Sequence, residues 1–289
     1  MRTGRLAVAA AGIWILTCRY TQAQAQKDAP LPDVRQLMRE VVEHQKHLDK
    51  IRENYTYNSS QVTEDLDAAG KVTKNESTDN EDFFVNGHVI ERKVKKDGQP
   101  LSQHEEEKES ERIQKLVERA QNTPADQPLE GQTVSISRLL EIMNVSAARR
   151  EVYRKRPAIV FDFTGRKDAK THGLMEDASK KLEGTILIDE ADRQVAHLEV
   201  TFTDDFHVAG GLLANIRKGT NFRFDQEPVA DGLWLPTGSE AMLQARVLLL
   251  KNMRQHFREK VYNYKRFTVE TEQGKDEKVK KDQEAGKRE

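Results

Sequence analysis

Gly184-Thr185-Ile186-Leu187-Ile188-Asp189 is followed by five polar or small residues and then by Val195-Ala196-His197-Leu198-Glu199-Val200. The two flanks are short, aliphatic and β-branched, and the interval between them carries Asp189, Glu190 and Asp192. Such a pattern predicts two antiparallel strands joined by a tight polar turn. Working outward from this hairpin, further strands are expected at residues 145–153, 158–165, 215–227, 233–251 and 257–269. Alternation is clearest in Ala241, Leu243, Ala245 and Val247 against Met242, Gln244 and Arg246. The charged connection 166–182 has room for a helical turn, and Gly210-Gly211 breaks the chain before the next strand.

Toward the N-terminus the period changes. Val34, Leu37, Met38, Val41, Leu48 and Ile51 recur at helical spacing, with Asp33 and Gln36 placed as a capping box. An amphipathic helix is expected there. Residues 55–66 and a run from Lys71 read as strands, and Asn86-Gly87 marks a hairpin between Phe83-Phe84-Val85 and His88-Val89-Ile90. These strands are polar, so one face should meet water. Ser102 and Glu105 start a densely charged helix over residues 99–121 with few apolar positions (Ile113, Leu116, Val117, Ala120), and residues 135–143 form a short apolar helix. The predicted fold class is α+β: a curved antiparallel sheet, a half-open β-barrel, with helices on its concave face.

Of 289 residues, 36% are hydrophobic and 33% charged, which leaves a lean core. Arg2 and Arg5 precede an apolar run over 6–16, and Ala23-Gln24-Ala25 offers a small-x-small cleavage site. The run is too short to span a bilayer and matches a secretory signal peptide over residues 1–25; a buried N-terminal helix is the alternative. The expected location is the periplasm. Cys18 is the single cysteine and follows the run directly, so lipidation there would anchor the protein. Losing Arg2, Arg5 and Arg19 would take the net charge from −1 to −4, which is not the balance of a nucleic-acid-binding protein. Residues 26–269 are expected to form one domain with a charged helical insertion at 99–143. Residues 270–289 form a charged tail, expected to be disordered.

The 184–200 hairpin resembles the central hairpin of the outer-membrane lipoprotein carrier (LolA-like) superfamily. The Phe222-x-Phe224 strand, Val229-x-Asp231-Gly232-Leu233-Trp234-Leu235-Pro236 and the long strand after it are similar to the next units of that sheet. The resemblance implies an apolar cavity between sheet and helices that accepts acyl chains of lipoproteins or other amphiphiles. It also implies that relatives act as envelope sensors through a partner protein. Phe161, Ile186, Leu198, Val200, Phe202, Phe222, Phe224, Leu243, Val247 and Leu249 are the candidate ligand-lining positions, each also readable as ordinary core under a helix. The expected partner is a lipid or acylated protein. The alternative, favoured by the charged helix at 99–121, is another envelope protein held without lipid. The oligomeric state is open.

Catalytic patterns are weak. Asp189-Glu190-Ala191-Asp192 lacks any companion phosphate loop and reads as a turn. Asp204, Asp205 and His207 form a thin acid or metal cluster, and His44 with His47 share a helix without further ligands. Pro236-Thr237-Gly238-Ser239 lacks the second glycine of a hydrolase elbow. The basic stretches 92–96 and 149–156 read as solvated strand faces. No enzyme activity, cofactor or metal is expected.

Overall fold

The computed structural model describes residues 30–125, 127, 129, 134–230, 233–248 and 251–266. The expected signal peptide with Cys18, the charged tail and Leu249 lie outside the described residues.

Thirteen strands form one sheet: β1 (Tyr55–Leu66), β2 (Val72–Val85), β3 (His88–Lys96), β4 (Gln99–Pro100), β5 (Met143–Tyr153), β6 (Arg156–Gly165), β7 (Leu182–Asp189), β8 (Val195–Phe202), β9 (Phe206–Val208), β10 (Ala214–Ile216), β11 (Asn221–Ala230), β12 (Leu233–Val247) and β13 (Lys251–Arg266). Among the described residues four helices accompany them: α1 (Val34–Arg52), α2 (Gln103–Asn122), α3 (Ile136–Glu141) and α4 (Gly173–Ser179). The order across the sheet is β4-β3-β2-β1-β13-β12-β11-β8-β7-β6-β5, with β9 and β10 attached beside β12. Every pairing is antiparallel, and the sheet stays open between β4 and β5.

The decisive hairpin forms with its turn braced by Asp189. That carboxylate accepts the backbone N–H groups of Ala191 (3.1 Å) and Asp192 (2.8 Å) and is forked by Arg156 at 2.5 and 3.0 Å. Burial raises the Asp189 carboxyl, but these donors outweigh it and hold the group below its usual range. Gly184 is required by close approach: a Cβ there would stand 1.8 Å from the Glu199 carbonyl oxygen.

Strand boundaries differ from expectation in two places. The run 215–227 is divided between β10 and β11, because Lys218 and Gly219 turn the chain, with Gly219 at φ +85°. The long run from Leu233 ends at Val247, and β13 starts six residues earlier than alternation suggested. Its polar face (Asn252, Arg254, His256) is paired along β12, and alternation cannot report such pairing.

Helix starts follow their caps. Asp33 accepts the Gln36 N–H at 2.8 Å, and Ser102 and Glu105 complete a reciprocal capping box. Helices α1 and α3 lie on the sheet face that carries Phe161, and with β5–β8 they form the main core around Leu37, Val41, Leu139 and Leu140. Helix α2 packs elsewhere. Phe83, Val85 and Ile90 point away from Asp82 and Glu91, by strand alternation, and meet Ile113, Leu116 and Ala120 of α2 in a separate small core. A third cluster joins Leu48 of α1 to Ala196 and Trp234.

Candidate functional site

One row of directly opposed residues crosses the face under α1. Phe161, Ile186, Leu198, Phe224, Ser239, Glu259, Gln61, Thr78 and Lys96 are successive partners from β6 to β3. Opposed residues of a ladder share a face, so these nine define a single inner surface. Its first four members are apolar and its last five are not.

The apolar half is filled. Phe161, Ile186, Leu198 and Val200 are buried in the core beneath α1 and α3, with Phe222 and Phe224 packed against them. Six of the candidate lining residues are thus brought together in the core beneath the helices. Phe202, Leu243 and Val247 are half-buried and stand apart from this cluster. The roof over this half is not purely apolar. Gln45 of α1 donates to Gln194 (3.0 Å), and Gln226 donates to Gln45 (3.4 Å) and to the Val195 carbonyl (3.1 Å), all three amides being buried. Among the described residues the Gln226 Oε1 atom has no partner.

The polar half is open. A groove of about 460 Å³ lies over β1, β2 and β3, walled by Gln61, Asn80, Glu91, Lys93, Lys96 and Arg112 among others. Gln61 is the hinge of its floor, donating to Glu91 (3.2 Å) and to Glu259 (3.1 Å), and Ser239 donates to Glu259 (2.8 Å). The rim is built by α2 reaching round the sheet. Glu109 accepts the Lys93 backbone N–H at 2.8 Å, and Arg112, itself forked on Glu109, donates to the Glu91 carbonyl at 2.5 Å. These contacts occupy the free edge of β3, a place where unpaired strand groups invite another chain. Among the described residues, neither the Lys93 nor the Lys96 ammonium makes an ion pair.

At the end of this groove the inner face becomes acidic and buried. Asp82 is 1% exposed and opposes Tyr57 and Glu91, and among the described residues neither of its oxygens has a hydrogen-bond donor of good geometry. Burial pushes its carboxyl up to about 7; the Ser59 hydroxyl beside it offsets this a little, while Glu91, Glu259 and Glu81 reinforce it. Glu91 is exposed at the groove, and desolvation with the Glu259 charge raises its carboxyl too. Tyr57, its ring tilted against that of Tyr264 with centroids 5.1 Å apart, has its phenol pushed well up by burial and by Asp82.

On the other face His197 binds Asp225 through Nδ1 (2.8 Å) and Glu199 through Nε2 (3.1 Å), and Tyr153 also donates to Asp225 at 2.6 Å. Burial opposes protonation of His197, but the two carboxylates outweigh it and raise the imidazole. Both nitrogens are occupied, so this is a cross-strand brace with no free base. His256 is held likewise between Glu64 (3.1 Å) and Glu240 (2.5 Å). Asp205 is committed to Lys218, Asn215 and Arg217, and Asp204 to Lys181. His44 docks on the Arg193 carbonyl (3.3 Å) and His47 is exposed. Among the described residues no three His, Cys, Asp or Glu side chains are arranged to hold a metal ion.

Sequence reading missed the groove. Residues 92–96 read as a solvated strand face, and the one available signal was the polar run shared by β1 and the first half of β2.

No known family's sequence pattern matches the chain, and no curated protein does. Two solved structures are similar in fold. A DUF1329 family protein from Desulfovibrio piger shares 9% identity, over 83% of this chain and 95% of that one, at a TM-score of 0.37. An outer membrane lipoprotein-sorting protein domain from Vibrio parahaemolyticus shares 10%, over 84% and 98%, at 0.36. At such distances no residue role passes from one chain to another. Among the described residues no helix is long and apolar enough to cross a membrane.

Proposed function

We propose that this protein is a non-catalytic binding module of the cell envelope, which holds a polar, charged segment of a protein partner in the groove over β1–β3. The observation that carries the reading is the division of the inner face: the apolar half is occupied by α1 and α3, and the open half is polar, with two unpaired ammonium groups at its rim. A partner segment bearing carboxylates would replace water at Lys93 and Lys96 and exchange amide hydrogen bonds with Gln61 and Asn80. The envelope location rests on the signal-like N-terminus. The experiment is native mass spectrometry of protein recovered from the envelope, with K93E/K96E in parallel. A stoichiometric protein partner that is lost in the double variant supports the reading; a partner retained at equal occupancy overturns it.

A second reading keeps the acyl-chain carrier, with Phe161, Ile186, Leu198, Val200, Phe202, Phe222, Phe224, Leu243, Val247 and Leu249 as its lining. The buried amides of Gln45, Gln194 and Gln226 favour it, because a helix lifting along that seam exchanges amide–amide hydrogen bonds for amide–water bonds at small net cost. Each methylene entering the uncovered face would contribute about 0.8 kcal/mol. Co-purifying lipid mass in the same spectra, in both proteins, is the result this reading requires.

A further inference from the structure

Three large leucines are left in water at one end of the sheet. Leu212 is 62% exposed, Leu213 54% and Leu248 61%. They sit on two neighbouring turns: the 3-10 turn Ala209–Gly211 leads into the first pair, and the end of β12 carries the third. The turns are tied together. Ala214 pairs with Val247, and the Leu248 N–H donates to the Leu213 carbonyl at 3.0 Å. The leucines therefore form one fixed apolar tip, not scattered surface residues.

Two further observations bear on what meets this tip. Leu248 has φ +49°, a left-handed conformation in which Asn or Gly is less strained than a leucine. A leucine there carries a conformational cost, so folding alone does not account for it. Behind the tip, residues 243–247 and 251–255 contain Arg246, Lys251 and Arg254 and no acid. The nearest acids on the β9 side, Asp204 and Asp205, face Lys181 and Arg217, and on the β1 side Asp65 accepts from Gln255 while Asp67 accepts the Ala69 and Lys71 N–H groups of its own turn. The tip is thus an apolar cluster with basic side chains behind it. That combination suits a soft, apolar layer under negative headgroups, as amphipathic surface elements do.

We propose that the end bearing Leu212, Leu213 and Leu248 docks on the headgroup region of an anionic lipid bilayer, the leucines entering the acyl boundary and Arg246, Lys251 and Arg254 facing the headgroups. This contact is independent of the groove over β1–β3, which it leaves open to the aqueous side.

The test is flotation of the full-length protein with vesicles of phosphatidylcholine alone or with about one third phosphatidylglycerol, a composition chosen to supply the surface charge. L212N/L213N/L248N is the variant, because Asn is well suited to the backbone at position 248 and the fold should be retained, as its unfolding curve will verify. Binding of the native protein is expected to require phosphatidylglycerol, to weaken between about 0.1 and 0.5 M salt, and to fall on the order of a hundredfold in the variant. A local readout removes any contribution from other anchors: the emission of L248W should shift to the blue and be quenched by brominated lipid. Equal vesicle binding by native protein and variant, no binding by either, or an L248W emission unmoved by vesicles would each overturn the proposal, as would self-association abolished by the triple variant without any lipid effect.

Discussion

The half of the inner face on β6, β7, β8 and β11 and the half on β13, β1 and β2 are built on the same antiparallel ladder, and one row of opposed residues runs through both. They differ in what that row carries. Phe161, Ile186, Leu198 and Phe224 need cover from water, and α1 with α3 provides it. Ser239, Glu259, Gln61 and Thr78 satisfy one another or water, so no helix is recruited and a groove remains. The lesson is that side-chain content along a shared register, not strand geometry, decides where a sheet is roofed and where it is free to bind.

The sharpest way to break this contrast is to cut into the roofed half. Phe161→Ala should cost about 4 kcal/mol by urea denaturation, through lost burial and a cavity the close-packed core cannot fill. A loss below about 1 kcal/mol would show that the roofed half is already loose. The boundary acid comes next. The folded protein holds a proton on Asp82 more tightly than the unfolded chain does, so stability falls as pH rises from about 4 to about 7 and then levels. Asp82→Asn removes that penalty. It should stabilise by about 2 kcal/mol at pH 8 and by almost nothing near pH 4, a modest figure because the solvated groove lies only one strand away. Equal stabilisation at both pH values would show that the carboxylate is not the cause. The smallest effect belongs to the open half, where Gln61→Ala should change stability by no more than about 0.5 kcal/mol, while weakening whatever occupies the groove. A large destabilisation would mean that Gln61 holds the sheet together and that the groove is only its by-product.

Much of this division was legible in the residues. Period-two alternation located the strands from Tyr55 to Leu66 and from Val195 onward, Asn86-Gly87 marked its hairpin, and Ser102 with Glu105 marked the start of α2. The six candidates that converge on α1 were also found this way. The remaining three described candidates, Phe202, Leu243 and Val247, have the right alternation yet stand beyond the reach of α1 and α3, because alternation says which face a residue takes and not how far a roof extends. Leu212, Leu213 and Leu248 gave no signal at all, since a leucine in a turn reads the same whether it is covered or bare.

The amino-acid order alone determined the α+β class, the helix caps and the polar turn after Asp189, all of which depend on near neighbours and on local sterics. Tertiary structure alone decided that β1 pairs with β13, that α2 guards the β3 edge, and that Gln61, Glu91 and Glu259 meet on one floor. Those contacts join residues up to two hundred positions apart, and such pairings are selected by the burial and hydrogen-bond satisfaction of the whole sheet, which no local pattern encodes.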